Sequence, residues 1–500
     1  MRNKVLLTKI SLDMKTQKLT LTVFGLIALF LFNTCAVNPV TGKKQFMMMS
    51  ESQEVAMGAE YEPQVLATFG VYEDAELQNF LQTKVNEMGL QSHRPNLQYH
   101  IKVLDSPVVN AFAVPGGYIY LTRGILTHFN NEAELIGVIG HEMGHITARH
   151  SVVNQSQQTL AQLLLIGGMI ASEKFRQYGE YAMQGMQLLF LSFSRAHERE
   201  ADRLGVEYAS RIGYDGSKFA DFYKLLIRMS PPPEQGGVPT FMSTHPDPGD
   251  RYNAVNQDAV VWKDSLDFNT WKVNENSYLQ MIDGMVYGED PRQGYTDGNV
   301  FYHPELKFQF TYPAGWQFEN SPMQVRMAPQ DGNALIIFAL TQGSNLQAAA
   351  QNDLRQLEVN VLESQNITVH GLPAIAVVSE QSSQDQNTGQ VQNLRIRSQY
   401  INDNGTFYVF HGVTLMETFD GVLPRFNSTM ASFAKLTDPA RINVKPNLIH
   451  VKRVQNTGTL ADALRYHGVT TQKLEEHSFL NNMELTERVQ AGKMIKVIGQ

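Results

Sequence analysis

The spacing of apolar residues divides the chain into a helical stretch, a strand-rich stretch and a short mixed tail. Ser50-Glu51-Ser52-Gln53-Glu54 has the form of a capped helix start. Residues 74–88 repeat apolar positions at helical spacing, and 98–104 alternate as a strand. Residues 110–122 predict a hairpin that turns at Pro115-Gly116-Gly117. From Asn131 onward Leu135, Ile136, Val138, Ile139, Met143 and Ile146 form a broad helical face, with Glu134 placed for a capping box. A further helix is expected over about 194–212, ended near Gly213.

Residues 155–193 read as helices that cover a cleft. The apolar part, 160–170, is too short to span a bilayer and is broken by Gly167-Gly168, so amphipathic membrane contact is the alternative. Pro231-Pro232-Pro233 and Pro246-Asp247-Pro248-Gly249 read as loops. Residues 287–299, rich in Gly, Asp and Pro, mark a boundary. Beyond it strands are expected at 307–312, 334–340, 374–380, 394–401 and 406–413, with helices at 346–362 and 418–433. That order predicts an α+β sandwich. The tail reads as a strand, two short helices and a strand. The expected fold class is therefore multidomain α+β. Its parts are a signal at 1–35, a tether at 36–49, a mainly helical domain with a small β-sheet at 50–290, an α+β domain at 300–438 and a βααβ module at 443–500.

Composition narrows the partners. Five hundred residues exceed one ordinary core, and 43% hydrophobic with 18% charged residues is a globular balance. A net charge of -8 without a basic run argues against a nucleic-acid partner. The single cysteine, Cys35, excludes a disulfide within the chain. It follows an apolar run over 19–32, which follows Lys15 and Lys18. That run is shorter than the ~20 residues a membrane-crossing helix needs and suits the core of a secretory signal. Cys35 then stands where a bacterial lipoprotein signal places its lipidated cysteine, although Thr34 and Phe32 depart from the usual small residue and leucine. The resemblance implies a periplasm-facing lipoprotein of the bacterial cell envelope, anchored in the outer membrane through Cys35. A plain cleaved signal, an uncleaved anchor and a buried helix are the alternatives. Met14 opens the more ordinary signal Met14-Lys15-Thr16-Gln17-Lys18 and is the expected start.

The chemistry concentrates at His141-Glu142-Met143-Gly144-His145. On a helix His141 and His145 project from one side and can share one zinc ion. Glu142 can accept a proton from a water that the metal activates. Two unrelated histidines on a surface helix are the competing reading. Gly137, Gly140 and Gly144 argue against it, since each costs a helix about 1 kcal/mol relative to alanine and makes sense where another backbone approaches. Glu198-Arg199-Glu200-Ala201-Asp202 is the best source of a third ligand. Glu198 and Asp202 share a helix face, so one can bind metal while the other accepts a hydrogen bond from a ligand histidine. A charged solvent face is the alternative. Glu200 and His197 point elsewhere and are expected to be structural.

His141-Glu-x-x-His145 with Glu198-x-x-Ala201-Asp202 resembles the gluzincin zinc peptidases of the HtpX and BepA kind, related to the prenyl-protein peptidases of the endoplasmic reticulum. Ser194-Arg195, Arg203-x-Gly205 and the Asn110-Ala111-Phe112 hairpin agree with it, over about residues 45–290. The resemblance implies one Zn2+ per chain on His141, His145 and Glu198, Glu142 as general base and Asp202 behind the ligands. It also implies an edge strand around Ala113, Val114, Tyr118 and Tyr120 that pairs with an extended or unfolded polypeptide substrate.

Ser243-Thr244-His245-Pro246, followed by Arg251, resembles a loop that approaches the metal in periplasmic members. His245 can close the open metal position and hold the enzyme latent. Alternatively His245 or Arg251 can polarise the scissile carbonyl, or His245 can be a turn residue that never meets the metal. Tyr312-Pro313-Ala314-Gly315-Trp316 and Ala431-Ser432-Phe433 resemble PsbP-like domains, with Trp316 expected in a core. Residues 459–464, Gly468-Val469 and 492–497 resemble a LysM module, which implies peptidoglycan binding, with a structural cap as the alternative. Two functions follow from these readings. One is a zinc metalloendopeptidase acting on unfolded or misassembled envelope proteins. The other is an envelope chaperone or scaffold with a structural zinc.

Overall fold

The computed structural model describes residues 35–159, 193–230, 241, 245, 248–384 and 391–500. All of the expected 1–35 signal except Cys35, most of the expected cleft-covering helices, the triple-proline loop and the neighbours of His245 lie outside the described residues. None of the described helices is long and apolar enough to cross a membrane.

Strands β1 (Cys35–Val37) and β2 (Lys44–Phe46) pair as a hairpin, so the turn-rich residues expected as a tether are folded. Asn38 makes the turn: its side-chain oxygen accepts from the Val40 and Thr41 N–H groups. Its amide donates to the Ala148 carbonyl. Helix α1 (Glu51–Phe69) starts at Ser50 in a complete capping box with Gln53. Helix α2 (Ala75–Leu90) buries Leu77, Leu81, Val85 and Met88, the stripe that its spacing predicts.

Three strands follow: β3 (His100–Leu104), β4 (Ala111–Val114) and β5 (Tyr118–Thr122). β5 lies in the middle, parallel to β3 and antiparallel to β4. After the short α3 (Arg123–His128), helix α4 (Glu132–Thr147) is buried along its whole length. Helices α5 (Arg195–Arg211), α6 (Lys218–Met229), α7 (Pro248–Ser265) and α8 (Glu275–Met281) complete this unit. Strand β6 (Val286–Tyr287) leaves it to join the sheet of the tail.

The next unit holds a four-stranded sheet of β7 (Tyr295–Asp297), β8 (Val300–His303), β9 (Phe308–Thr311) and β17 (Ala434–Lys435). Its seven-stranded antiparallel sheet comprises β10 (Gln317–Asn320), β11 (Gln324–Ala328), β12 (Ala334–Thr341), β13 (Asn360–Val369), β14 (Leu372–Gln384), β15 (Val391–Asp403) and β16 (Thr406–Leu415). Their spatial order is 10-11-12-16-15-14-13. The helices are α9 (Leu346–Gln356) and α10 (Phe419–Ala431). The helix expected over 346–362 is therefore too long. It stops at Gln356, Glu358 takes φ 52°, and the chain turns into β13. That strand is an edge, and its residues up to Asn366 are exposed. It shows no apolar alternation because neither face is buried there.

In the tail α11 (Pro439–Ile442) leads to β18 (Asn447–Arg453), which pairs with β21 (Met494–Gly499). Between them run β19 (Gly458–Thr459), α12 (Leu460–Tyr466), α13 (Leu474–Leu480) and β20 (Arg488–Val489). Ile449, Leu480 and Met494 extend the core of the first unit into the tail.

Candidate metal centre

Helices α4 and α5 approach closely through small residues. A Cβ on Gly140 would stand 2.8 Å from the Gly205 carbonyl oxygen, and one on Gly144 would stand 3.1 Å from the Ala201 Cα. Gly137 faces α6 instead, 2.5 Å from the Phe219 Cβ. These glycines let the histidines of α4 meet the carboxylates of α5.

His141, His145, Glu198 and His245 each turn one ligand atom to a common point, with all four atoms within 4.8 Å of one another. The Nε2 atoms of His141 and His145 are 3.1 Å apart, and Nδ1 of His245 is 3.2 Å from the first. Both Glu198 oxygens lie 3.1 Å from that Nδ1. A Glu198 oxygen is 3.4 Å from His145 Nε2, and another is 3.7 Å from His141 Nε2. Zinc bonds of about 2.0–2.1 Å in a tetrahedron set neighbouring donors roughly 3.3 Å apart. Three imidazoles and a carboxylate at these spacings fit zinc.

Each donor is held from behind. His141 Nδ1–H donates to Asp202 Oδ1 over 2.9 Å. Tyr223 O–H donates to the same oxygen over 2.6 Å. Arg251 donates to both Asp202 oxygens, at 2.6 and 2.7 Å, and also to Tyr223. It reaches Glu198 at 2.7 Å. Burial opposes ionisation of Asp202, but the Arg251 guanidinium holds its carboxyl below the ordinary value. Arg251, one of two candidates for polarising a scissile carbonyl, is turned to these carboxylates.

Glu142 is 1% exposed, and its Oε1 has no hydrogen-bond partner among the described residues. That oxygen lies 3.7 Å from His245 Nε2. Burial pushes the Glu142 carboxyl above its ordinary value. A buried carboxylate oxygen without a partner among the described residues is uncommon in a folded protein.

The expected substrate strand divides. Ala113 and Val114 lie on β4, the edge of the three-stranded sheet. Tyr118 and Tyr120 lie on β5, whose backbone is paired on both sides, and both are buried. They cannot pair with an added strand, which corrects the expectation for these two. The sequence reading also set aside Glu200 and missed His150 and Tyr223. His150 contacts both His145 and Glu200. Spacing alone does not reveal Tyr223, since it sits among the apolar positions of α6.

The chain is 30% identical over 225 residues to the beta-barrel assembly-enhancing protease of Yersinia pestis, covering 43% of this chain and 45% of that protein. It is 27% identical over 271 residues to the mitochondrial metalloendopeptidase OMA1 of Bos taurus, covering 50% and 51%. The chain thus spans about half the length of these relatives. Among solved structures, cyanobacterial PsbP from Synechocystis aligns at 13% identity over 28% of this chain and 94% of its own, with a TM-score of 0.24. Residues 75–259, which hold His141, Glu142, His145, Glu198, His245 and Arg251, match the model of Peptidase family M48.

Proposed function

We propose that the chain is a zinc metalloendopeptidase that hydrolyses unfolded or misassembled proteins of the bacterial cell envelope. His141, His145 and Glu198 hold the ion, Glu142 is the general base, and Asp202 with Arg251 orients the ligands. The observation that carries this reading is the Glu142 oxygen, unpaired among the described residues, beside the four-donor cluster. Bound zinc would acidify water and polarise a carbonyl. Glu142 would take the proton from the attacking water and pass it to the leaving amine. β4 offers its free edge to an extended polypeptide through Ala113 and Val114. His245 takes the fourth donor position, so the resting site is closed and His245 must leave it before substrate binds.

The anchored placement rests on the signal-like residues before Cys35. The PsbP-like and LysM-like resemblances of 300–438 and 443–500 add accessory domains, the second a candidate for peptidoglycan. A pure scaffold would have no use for an unpaired buried Glu142. Metal analysis of the purified chain should give one zinc, and cleavage of unfolded casein should vanish in Glu142→Gln with the fold retained. Equal cleavage by Glu142→Gln would sink the reading.

A further inference from the structure

We infer that His150 and Glu200 form an orienting chain that fixes His145 from behind, making both positioning residues of the metal centre; the inference rests on the zinc reading above. His145 turns Nε2 to the donor cluster and Nδ1 away from it. That Nδ1 lies 2.9 Å from Nδ1 of His150, whose Nε2 lies 3.1 Å from Glu200 Oε2.

The protons of this chain follow from the direction of the first ligand bond. An imidazole that gives the lone pair of Nε2 to a metal carries its proton on Nδ1. That N–H has His150 Nδ1 as its acceptor, so His150 carries its own proton on Nε2 and donates it to the Glu200 carboxylate. One arrangement of protons satisfies both bonds. The reverse arrangement would point an N–H of His145 into the donor cluster. Each ligand histidine of α4 is then backed by a carboxylate, His141 directly by Asp202 and His145 by Glu200 through one intervening ring.

The backbone is shaped for this contact. On an unbroken helix the fifth residue after His145 would point roughly 140° away from it. Helix α4 stops at Thr147, and Arg149 takes φ 58°, which returns His150 to the His145 ring. His197 stacks flat on His150 at 4.3 Å, and Phe193 stacks on His145 at 4.0 Å, so both ring planes are held.

The competing explanation is that His150 only fills space. Zinc affinity of the full chain, measured by competition with a chromogenic chelator, separates the two. His150→Phe keeps the ring and its stacking but offers no acceptor, whereas His150→Asn offers an acceptor without the ring. Losing a partner behind a metal ligand costs about 10–100-fold in affinity. His150→Phe should show that loss and His150→Asn should recover most of it. Glu200→Leu should weaken binding several-fold, with Glu200→Gln near wild type. Unchanged affinity in His150→Phe, or equal losses in Phe and Asn, overturns the inference. Should His150→Phe fail to fold, as judged by circular dichroism of the apoprotein, the partly exposed Glu200 decides: equal affinities in its Leu and Gln variants overturn it. A wild-type chain that takes up no zinc sinks the zinc reading and this inference together. Binding by the wild type with indifferent variants sinks this inference alone.

Discussion

Replacing Gly140 with alanine tests whether the α4–α5 approach sets the ligand geometry. The added Cβ would stand 2.8 Å from the Gly205 oxygen and 3.0 Å from the Gly205 Cα. Carbon atoms pack best at about 3.5–4.0 Å, so the helices must part by roughly half an ångström. Overpacking of this kind costs about 1–3 kcal/mol, and alanine returns about 1 kcal/mol of helix propensity. The expected net loss is about 0–2 kcal/mol. Gly421 in α10 has open space where its Cβ would stand. Its alanine variant therefore collects only the gain, up to about 1 kcal/mol. Function should separate the pair further. Parting the helices moves Glu198 and Asp202 away from His141 and His145, and metal sites tolerate about ±0.2 Å. Thermal unfolding and chelator competition on both variants give the answer. Gly140→Ala should bind zinc more than about tenfold more weakly, and Gly421→Ala should bind as wild type. A Gly140→Ala protein as stable as Gly421→Ala, with unchanged zinc affinity, would refute the packing argument.

Other expectations follow from single contacts. Burial pushes His128 down to about 4, against the opposing hydrogen bond to the Gly124 carbonyl. Because the folded value is depressed, its contribution to stability is whole above about 6.5 and is lost as pH falls toward 4, by about 3 kcal/mol in full. Hydrogen exchange over 123–147 at pH 7 and 4.5 should show this loss, and His128→Gln should flatten it; equal pH slopes would contradict the assignment. Glu54 is buried between Arg94 and Arg149, at 2.9 Å from each. Glu54→Leu should cost about 3–5 kcal/mol by leaving buried Arg149 without a carboxylate, while Arg94 keeps Glu51, and a chemical-denaturation loss under 1 kcal/mol would show that the network relaxes. His245→Ala should raise basal cleavage of unfolded casein while weakening zinc retention. A fall in cleavage at saturating zinc would instead make His245 part of the chemistry.

The helix that carries His141 is legible in sequence because its signals agree. Asn131 caps it, Glu134 receives the Asn130 N–H and the Asn131 amide, and a wide apolar face runs between. The pairing of Asp202 with His141 is legible for a similar reason, since residues four apart on a helix share a face. The partner of His145 is not, because the bond to His150 depends on a left-handed residue at Arg149, and nothing local demands one there. The fourth donor is suggested only by resemblance, as no apolar periodicity runs through Ser243-Thr244-His245-Pro246 to fix where His245 points.

The tail shows the same limit in a strand. Residues 495–497 run apolar, polar, apolar, which reads as a strand with one wet face. Lys496 is instead fully buried, and its Nζ donates to the carbonyls of Thr127 and Phe129 at 2.7 and 2.8 Å. These carbonyls close the C-terminal end of α3, two residues before the cap of α4, and a lysine there answers the unpaired carbonyls of a helix end. Alternation reports that a strand has two different faces. It does not report whether the polar face meets water or a row of carbonyls on another unit. Here the tail supplies the donor that the end of α3 lacks, just before the metal-bearing helix begins, so its strand register is tied to that helix although no tail residue approaches the donor cluster.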